Sequence, residues 1–447
     1  MSGTDMTRGP ILKQLATFAA PLILGNLFQQ TFNVIDAVIV GNYISTNALG
    51  AVGASGPIIN ILVSFFMGVS NGAGVLVSRF FGARDMKELK NAMQTAIVLA
   101  VLLGVVLTAA GVTLSPLLLR LMQTPDELIE EAALYLRIYF YGLTGITVYN
   151  MGAAAISAMG DSRRPLYLLM FSCALSAGLK LLLVFYFHIG IAGIAYATSI
   201  TQIICAVLVV ALLCRQDLER RLVLRQIGVH RHILKDIAGV GLPGGVQGII
   251  VAGSNLFVQS YINRLGPAVV TGFSASSRTE AFLMMPISGV ALAVSTFVGQ
   301  NLGAGNVRRA REGVRVSLGV ILCITVLLAS VIFVFARDIL RIYTPDDAVI
   351  SYGLDFLRLF APFYTVLCFT QILPGALRGA SDVKFATITC VCCFVFLRQI
   401  YLYFMTRFLY TPVTVAVGYP ATWFVAAVII TVYYFKSDWS GFEQPAG

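Results

Sequence analysis

Charge is what this chain of 447 residues has least of. Only 12% of it is Asp, Glu, Lys or Arg, where a soluble domain carries about 25%. Hydrophobic residues make up 58%, and mean hydropathy is +0.84. That combination excludes a soluble globular protein, and equally a soluble protein with a single anchor. Histidine is scarce: His188, His230 and His232 are all there are. None stands at metal-ligand spacing from a cysteine, so no metal site is indicated. The cysteines (173, 205, 214, 323, 368, 390, 392 and 393) lie in or at the ends of apolar runs. Cys390, Cys392 and Cys393 cluster inside one such run and read as small, reduced core residues. No Walker A lysine motif is present, so ATP is not the expected direct energy source. Gly68-Val69-Ser70-Asn71-Gly72 fits G-x-S-x-G only formally, since no strand precedes it. Its small residues four apart fit a close helix contact better. Neither enzymatic chemistry nor a cofactor is expected. No small-residue cleavage site follows the N-terminus, so the first helix is expected to be retained.

Long apolar runs are abundant. About twelve are long enough to cross a bilayer: 11–40, 56–81, 92–118, 133–158, 165–188, 191–214, 235–263, 270–302, 314–336, 351–378, 384–407 and 412–435. With the N-terminus inside, Lys and Arg favour the cytoplasmic segments by about three to one, which places both termini in the cytoplasm. The net charge of +10 then reflects this bias, and no nucleic-acid partner is expected. Gly82-Ala83-Arg84-Asp85 and Gly303-Ala304-Gly305-Asn306 read as turns whose following basic residues face lipid headgroups.

The chain is duplicated. Ile11-Leu12-Lys13 matches Ile233-Leu234-Lys235, Pro21 matches Pro243, Asn33 matches Asn255, and Gly82-Ala83 matches Gly303-Ala304. Thr124-Pro125-Asp126 matches Thr344-Pro345-Asp346, and Asp161 matches Asp382. The offset stays at about 220–222 residues, too constant for chance. The Arg-rich stretch 215–234 separates an N-terminal lobe, 1–214 with helices 1–6, from a C-terminal lobe, 235–447 with helices 7–12. Each lobe has an even number of spans, so the repeat is parallel, about an axis along the membrane normal. The expected fold is all-α: a polytopic membrane protein of twelve transmembrane helices in two six-helix lobes. Two such bundles are expected to enclose a cleft and to alternate access to it by rocking.

Polar residues inside the apolar spans mark the candidate site. On the first helix Asn26, Gln29, Gln30, Asn33 and Asp36 recur at helical spacing and form one polar stripe. A carboxylate in a bilayer-spanning helix costs about 2.5–3.5 kcal/mol and marks a functional site by default. A buried Asp that only fixes helix packing is the alternative. The second lobe has its own set: Asn255, Gln259, Arg278, Glu280, Gln371 and Arg398. Glu280 can meet Arg398 across the bundle or bind a cationic ligand, and a structural ion pair is an equal alternative. Phe32, Tyr149, Phe273, Phe363, Tyr364 and Met284 are among the aromatic and Met side chains that can line an adaptable pocket or simply pack helices.

In order along the chain, these segments resemble the multidrug and toxic compound extrusion (MATE) family. The resemblance rests on Pro21 to Gly41, Phe80-Phe81-Gly82-Ala83-Arg84, Ala158-Met159-Gly160-Asp161-Ser162, Ile191 to Thr198, and Ser295 to Gly305. It implies a bacterial-type efflux transporter in the inner membrane. Such a protein exports small amphipathic organic compounds by antiport against H⁺ or Na⁺. A lipid-linked oligosaccharide flippase of the same superfamily is the alternative. A monomer in the lipid bilayer is expected. Carried over by position, Asp36 matches the family's ion-coupling carboxylate and Pro21 the proline where the first helix bends. Asn33, Asn150, Ser176 and Lys180 complete the implied coupling set. Lys180 departs from the family pattern, which has an acidic residue there. A lysine favours the charged form of a nearby carboxylate, so an Asp36–Lys180 pair is one expectation and a snorkelling Lys180 the other. The implied substrate set is Gln29, Phe32, Tyr149, Asn255, Gln259, Arg278, Glu280, Met284, Gln371 and Arg398.

Overall fold

A computed structural model describes residues 5–43, 46–122, 124–217, 221–223 and 228–442; the side chains of 32–43, 46–49, 185 and 442 lie outside that description. No strand occurs among the described residues. The helices are α1 (Ile11–Tyr43), α2 (Thr46–Gly82), α3 (Met86–Leu121), α4 (Asp126–Tyr141), α5 (Leu143–Ala158), α6 (Arg163–Leu181), α7 (Ile191–Cys214) and α8 (Arg231–Asn263). They continue with α9 (Pro267–Gly303), α10 (Val307–Tyr343), α11 (Asp347–Phe360), α12 (Tyr364–Gly379), α13 (Lys384–Val391), α14 (Arg398–Phe408) and α15 (Pro412–Lys436). Pairs α4–α5, α11–α12 and α13–α14 each make one crossing, so the helices form twelve crossings in two sets of six. Among the described residues, 11 helical stretches are long and apolar enough to span a membrane. The remaining crossing, 126–158, is split at Gly142 into two helices of 16 residues.

The helices overrun their apolar centres. α3 begins at Met86, well ahead of 92, because the Asp85 carboxylate caps it, accepting the Glu88 N–H at 3.0 Å. Such a cap satisfies a backbone donor the helix itself cannot. Hydropathy marks only the apolar middle, and the charged first turn continues the same helix.

The duplication is also written in the backbone. After α2, Arg84 takes the left-handed conformation (φ 57°), and after α9 Gly305 does so (φ 76°). Beside them the Asp85 N–H donates to the Phe80 carbonyl at 3.1 Å and the Asn306 N–H to the Asn301 carbonyl at 2.8 Å. After α5 and α12 the left-handed residues are Gly160 and Ser381. There the Asp161 N–H reaches the Ile156 carbonyl at 3.3 Å and the Asp382 N–H the Leu377 carbonyl at 2.8 Å. These six-residue closures end helices by satisfying late carbonyls.

The fourth crossing of each half is interrupted at a corresponding place, Gly142 in one and the 3₁₀ turn Ala361–Phe363 in the other. Away from water, freed carbonyls need partners within the protein. At Gly142 hydroxyls supply them: Ser199 donates to the Ile138 carbonyl at 2.8 Å and Thr108 to the Phe140 carbonyl at 2.9 Å.

Two compact units form. The first holds Asp5 and Leu24–Gly245; the second holds Met6–Ile23 and Val246–Gly447. The division runs through α1 between Ile23 and Leu24 and through α8 between Gly245 and Val246. Each break lies just beyond a proline inside the helix, Pro21 or Pro243. The duplicated halves and the compact units therefore divide the chain differently. Each half's first helix begins in the unit built mainly by the other half.

Within each unit the incoming segment is pinned to the third crossing of the six that receive it. In the first unit His232 Nε2 lies 2.9 Å from Glu88 Oε2, and the His230 N–H donates to Thr95 Oγ1 at 3.2 Å. In the second, Arg309 donates to the Met6 carbonyl at 3.3 Å, the Gly9 carbonyl at 2.7 Å and Gln14 Oε1 at 2.9 Å. Met6 is wholly buried and its N–H donates to Gln300 Oε1 at 3.0 Å. Glu88 and Arg309 occupy corresponding positions (309 − 88 = 221), so the two pins share a place and differ in charge.

Within the first unit, α2 meets the start of α8 through glycines. A β-carbon at Gly72 would stand 2.5 Å from Gly241 Cα, and one at Gly68 would fall on the Gly244–Gly245 backbone. The G-x-S-x-G glycines are thus a close backbone contact. Gly72→Val is expected to lower stability by about 1–3 kcal/mol, read as a lower melting temperature of the detergent-solubilised protein. An unchanged melting temperature would refute the close contact.

Candidate functional site

A buried charge must be solvated by the protein itself. Among the described residues only two charged side chains are buried, Lys180 and Arg398, each 3% exposed. Both lie on the fifth crossing of their half, and both adjoin a π-helical turn. Lys180 sits just before Leu182–Tyr186, and Arg398 directly follows Cys392–Leu397. π-turns are rare and frequent at functional sites.

In the first unit, Ser176 and Lys180 are one helical turn apart on the buried face of α6. The Ser176 hydroxyl finds no hydrogen-bond partner among the described residues. Lys180 stays inside rather than snorkelling to the surface. Tyr149 on α5 is half-buried, close to Cys173 of α6 and Cys205 of α7. Asn150 turns back on its own helix, donating to the Ile146 carbonyl at 2.8 Å. Asp36, Asn33 and Phe32 lie on α1, but their side chains are outside the described residues. Gln29 is exposed, and Pro21 is buried within an unbroken α1.

The second unit assembles a fuller site. Arg398 donates through Nη2 to Thr422 Oγ1 at 3.2 Å and through Nη1 to Asn255 Oδ1 at 3.4 Å. Its Cζ lies 4.3 Å from the Tyr419 ring centroid and 5.6 Å from that of Phe394. A guanidinium over aromatic faces is attracted by the ring quadrupoles. The Arg398 Nε has no acceptor among the described residues. The preceding π-turn is held by Ser254, whose hydroxyl donates to the Phe394 carbonyl at 3.2 Å, while Gln399 donates to Ser254 Oγ at 3.2 Å.

Glu280 is half-buried and within electrostatic range of Arg398, Tyr364 and Tyr419, but makes no ion pair among the described residues. The expected direct Glu280–Arg398 contact is thus replaced by attraction at longer range, because Thr422 and Asn255 take up the guanidinium edge. Tyr364 is fully buried, and its hydroxyl also lacks a partner. Trp423 stands against Phe360, Tyr364 and Tyr419, with ring centroids 5.7, 6.3 and 6.0 Å away.

The remaining candidates lie apart from this cluster. Gln259 donates to Asn263 Oδ1 at 2.8 Å. Arg278 is exposed, without a polar contact among the described residues. Met284 packs on the apolar core, and Gln371 is half-buried. Sequence reasoning missed Tyr419, Thr422 and Trp423. Their spacing (i, i+3, i+4) puts them on one face of α15, a polar and aromatic stripe in an otherwise apolar helix. The described residues contain no group of three or more potential metal ligands.

The fold and the site define a duplicated polytopic helical membrane protein with a buried cation in each half. The MatE family model matches it twice, over residues 21–182 and 243–404. The chain belongs to this family of multidrug and toxic compound extrusion transporters. It is 31% identical over 380 residues to the probable multidrug resistance protein YpnP of Bacillus subtilis (strain 168), covering 85% of each chain. It is 26% identical over 432 residues to YoeA of the same organism, another probable multidrug resistance protein, covering 95% of this chain and 93% of that one. A crystal structure of MATE in the straight conformation superposes with a TM-score of 0.91, 22% identity and 98% coverage of both chains. At that identity the likeness establishes the fold.

Thr422→Val removes one of the two acceptors of the Arg398 guanidinium while keeping side-chain volume. Leaving a buried donor unmet costs about 1–3 kcal/mol. A fall of a few degrees in melting temperature is expected, and none if Thr422 does not hold Arg398.

Proposed function

We propose that the chain is a secondary active multidrug efflux transporter that exports amphipathic organic compounds in exchange for H⁺ or Na⁺ by alternating access. The observation that carries this reading is the match, over most of the chain, to relatives described as probable multidrug resistance proteins. These relatives favour drug export over the flippase alternative. The parallel duplication of a six-crossing bundle supports alternating access, since paired repeats are the usual basis of rocking transport. Intramembrane ionisable groups mark coupling sites by default, and Asp36, Lys180 and Ser176 supply them in the first half. Asp36 in its charged form is the cation acceptor, and Lys180 sets how readily it takes up a proton or ion. An inner-membrane location with both termini in the cytoplasm follows from the Lys and Arg bias.

Proteoliposomes loaded with a fluorescent amphipathic dye test this, with pH and sodium gradients imposed separately. One of the two gradients is expected to accelerate dye movement. Asp36→Asn is expected to abolish that acceleration, and Lys180→Ala to change its dependence on the gradient. Dye flux indifferent to both gradients and to both substitutions would refute ion-coupled export.

A further inference from the structure

We infer that the Arg398 cluster of the second unit is a binding subsite for the anionic group of a flat aromatic ligand, a carboxylate carried on a ring system. This rests on the reading of the chain as an exporter of organic compounds and names a substrate class for it.

Guanidinium has five N–H donors and is always charged. Arg398 meets two neutral oxygens, Thr422 Oγ1 and Asn255 Oδ1, and its Nε meets none. No carboxylate forms an ion pair with it among the described residues. Buried charges ordinarily carry an opposite charge in direct contact, so this one is under-neutralised. The Tyr364 hydroxyl, also buried, is a second donor without an acceptor. The two groups border one aromatic wall: Tyr419 faces the guanidinium, and Trp423 touches both Tyr419 and Tyr364. Donors beside stacked rings suit a planar ring bearing a carboxylate, which Arg binds by two parallel hydrogen bonds.

Access lies on the α8 side. Asn255 is exposed and holds Nη1 by a bond of 3.4 Å, long enough to be exchanged readily for a charged acceptor. Glu280 faces the same group at longer range. Its charge attracts Arg398 and repels an arriving carboxylate, so it tunes anion affinity downward. A purely structural arginine would show no such opposition.

The test is binding of three probes with one ring system to the full chain in lipid nanodiscs: naphthoate, naphthalenemethanol and naphthylmethylammonium. Naphthoate is expected to bind tightest. Arg398→Gln is expected to weaken naphthoate roughly tenfold or more, the loss of a charge-assisted bond, and to leave the alcohol nearly unchanged. Arg398→Lys is expected to restore part of the loss. Glu280→Gln is expected to tighten naphthoate severalfold, and Tyr364→Phe, which keeps the ring packing, to weaken it. Equal binding of all three probes would overturn the inference, as would an equal loss for all three in Arg398→Gln. If that variant does not fold, naphthoate affinity unmoved by both Glu280→Gln and Tyr364→Phe would overturn it. Dye export with no naphthoate preference would sink this subsite and leave export standing. Naphthoate selectivity without gradient-driven export would do the reverse.

Discussion

In hydrocarbon no backbone N–H or C=O can be left to a solvent, and every other feature of this protein is arranged around that constraint. It makes the chain helical almost throughout. It also makes each departure from the α-helix conspicuous, because the freed groups must be met from inside. The hydroxyls of Ser199 and Thr108 meet the carbonyls freed at Gly142. Ser254 does the same for Phe394 in the π-turn before Arg398. The same constraint acts on side chains more severely, since an uncompensated charge costs more than an unpaired amide. That only Lys180 and Arg398 are buried charges among the described residues is its direct result.

Duplication gives the two halves one plan and leaves their chemistry free to diverge. Turns, left-handed residues and helix interruptions recur at corresponding positions because they fix how crossings pack. The polar residues do not recur. Glu88 pins the start of α8 where Arg309 pins the segment before α1. Asp161 accepts the Arg163 and Arg164 N–H groups, whereas Asp382 accepts the Tyr433 hydroxyl at 2.8 Å. A cation sits on the fifth crossing of each half, a primary amine in one and a guanidinium in the other. The plan is thus held by backbone geometry, and side chains at matching places have been reassigned.

Much of this was legible in the chain itself. Apolar length gave the twelve crossings, and pairs such as Pro21 with Pro243 gave the repeat. The polar residues of the second half named Asn255, Glu280 and Arg398 before any coordinates. Three things were not legible. Hydropathy cannot see that α3 runs on from a cap at Asp85, because the capped turn is charged. A repeat offset cannot show that Met6–Ile23 packs with the opposite half, since repeats record ancestry and not neighbours. The wall of Tyr419, Thr422 and Trp423 escaped notice because α15 is apolar on average, and three residues on one face barely alter that mean. The α1 carboxylate, the strongest signal in the sequence, sits where side chains are outside the described residues, so its surroundings rest on the sequence alone.

The π-helical turn at Cys392–Leu397 has a consequence for how this protein tolerates change. Such a turn is an α-helix carrying one surplus residue. Deleting any one of those six would let the helix regularise and swing everything after it by about 100°. Arg398 would leave the face that Thr422 and Tyr419 line. The eleventh crossing is therefore more vulnerable to a lost codon than to most exchanged ones, and a sequence alignment that closes a gap there silently misplaces its one cation.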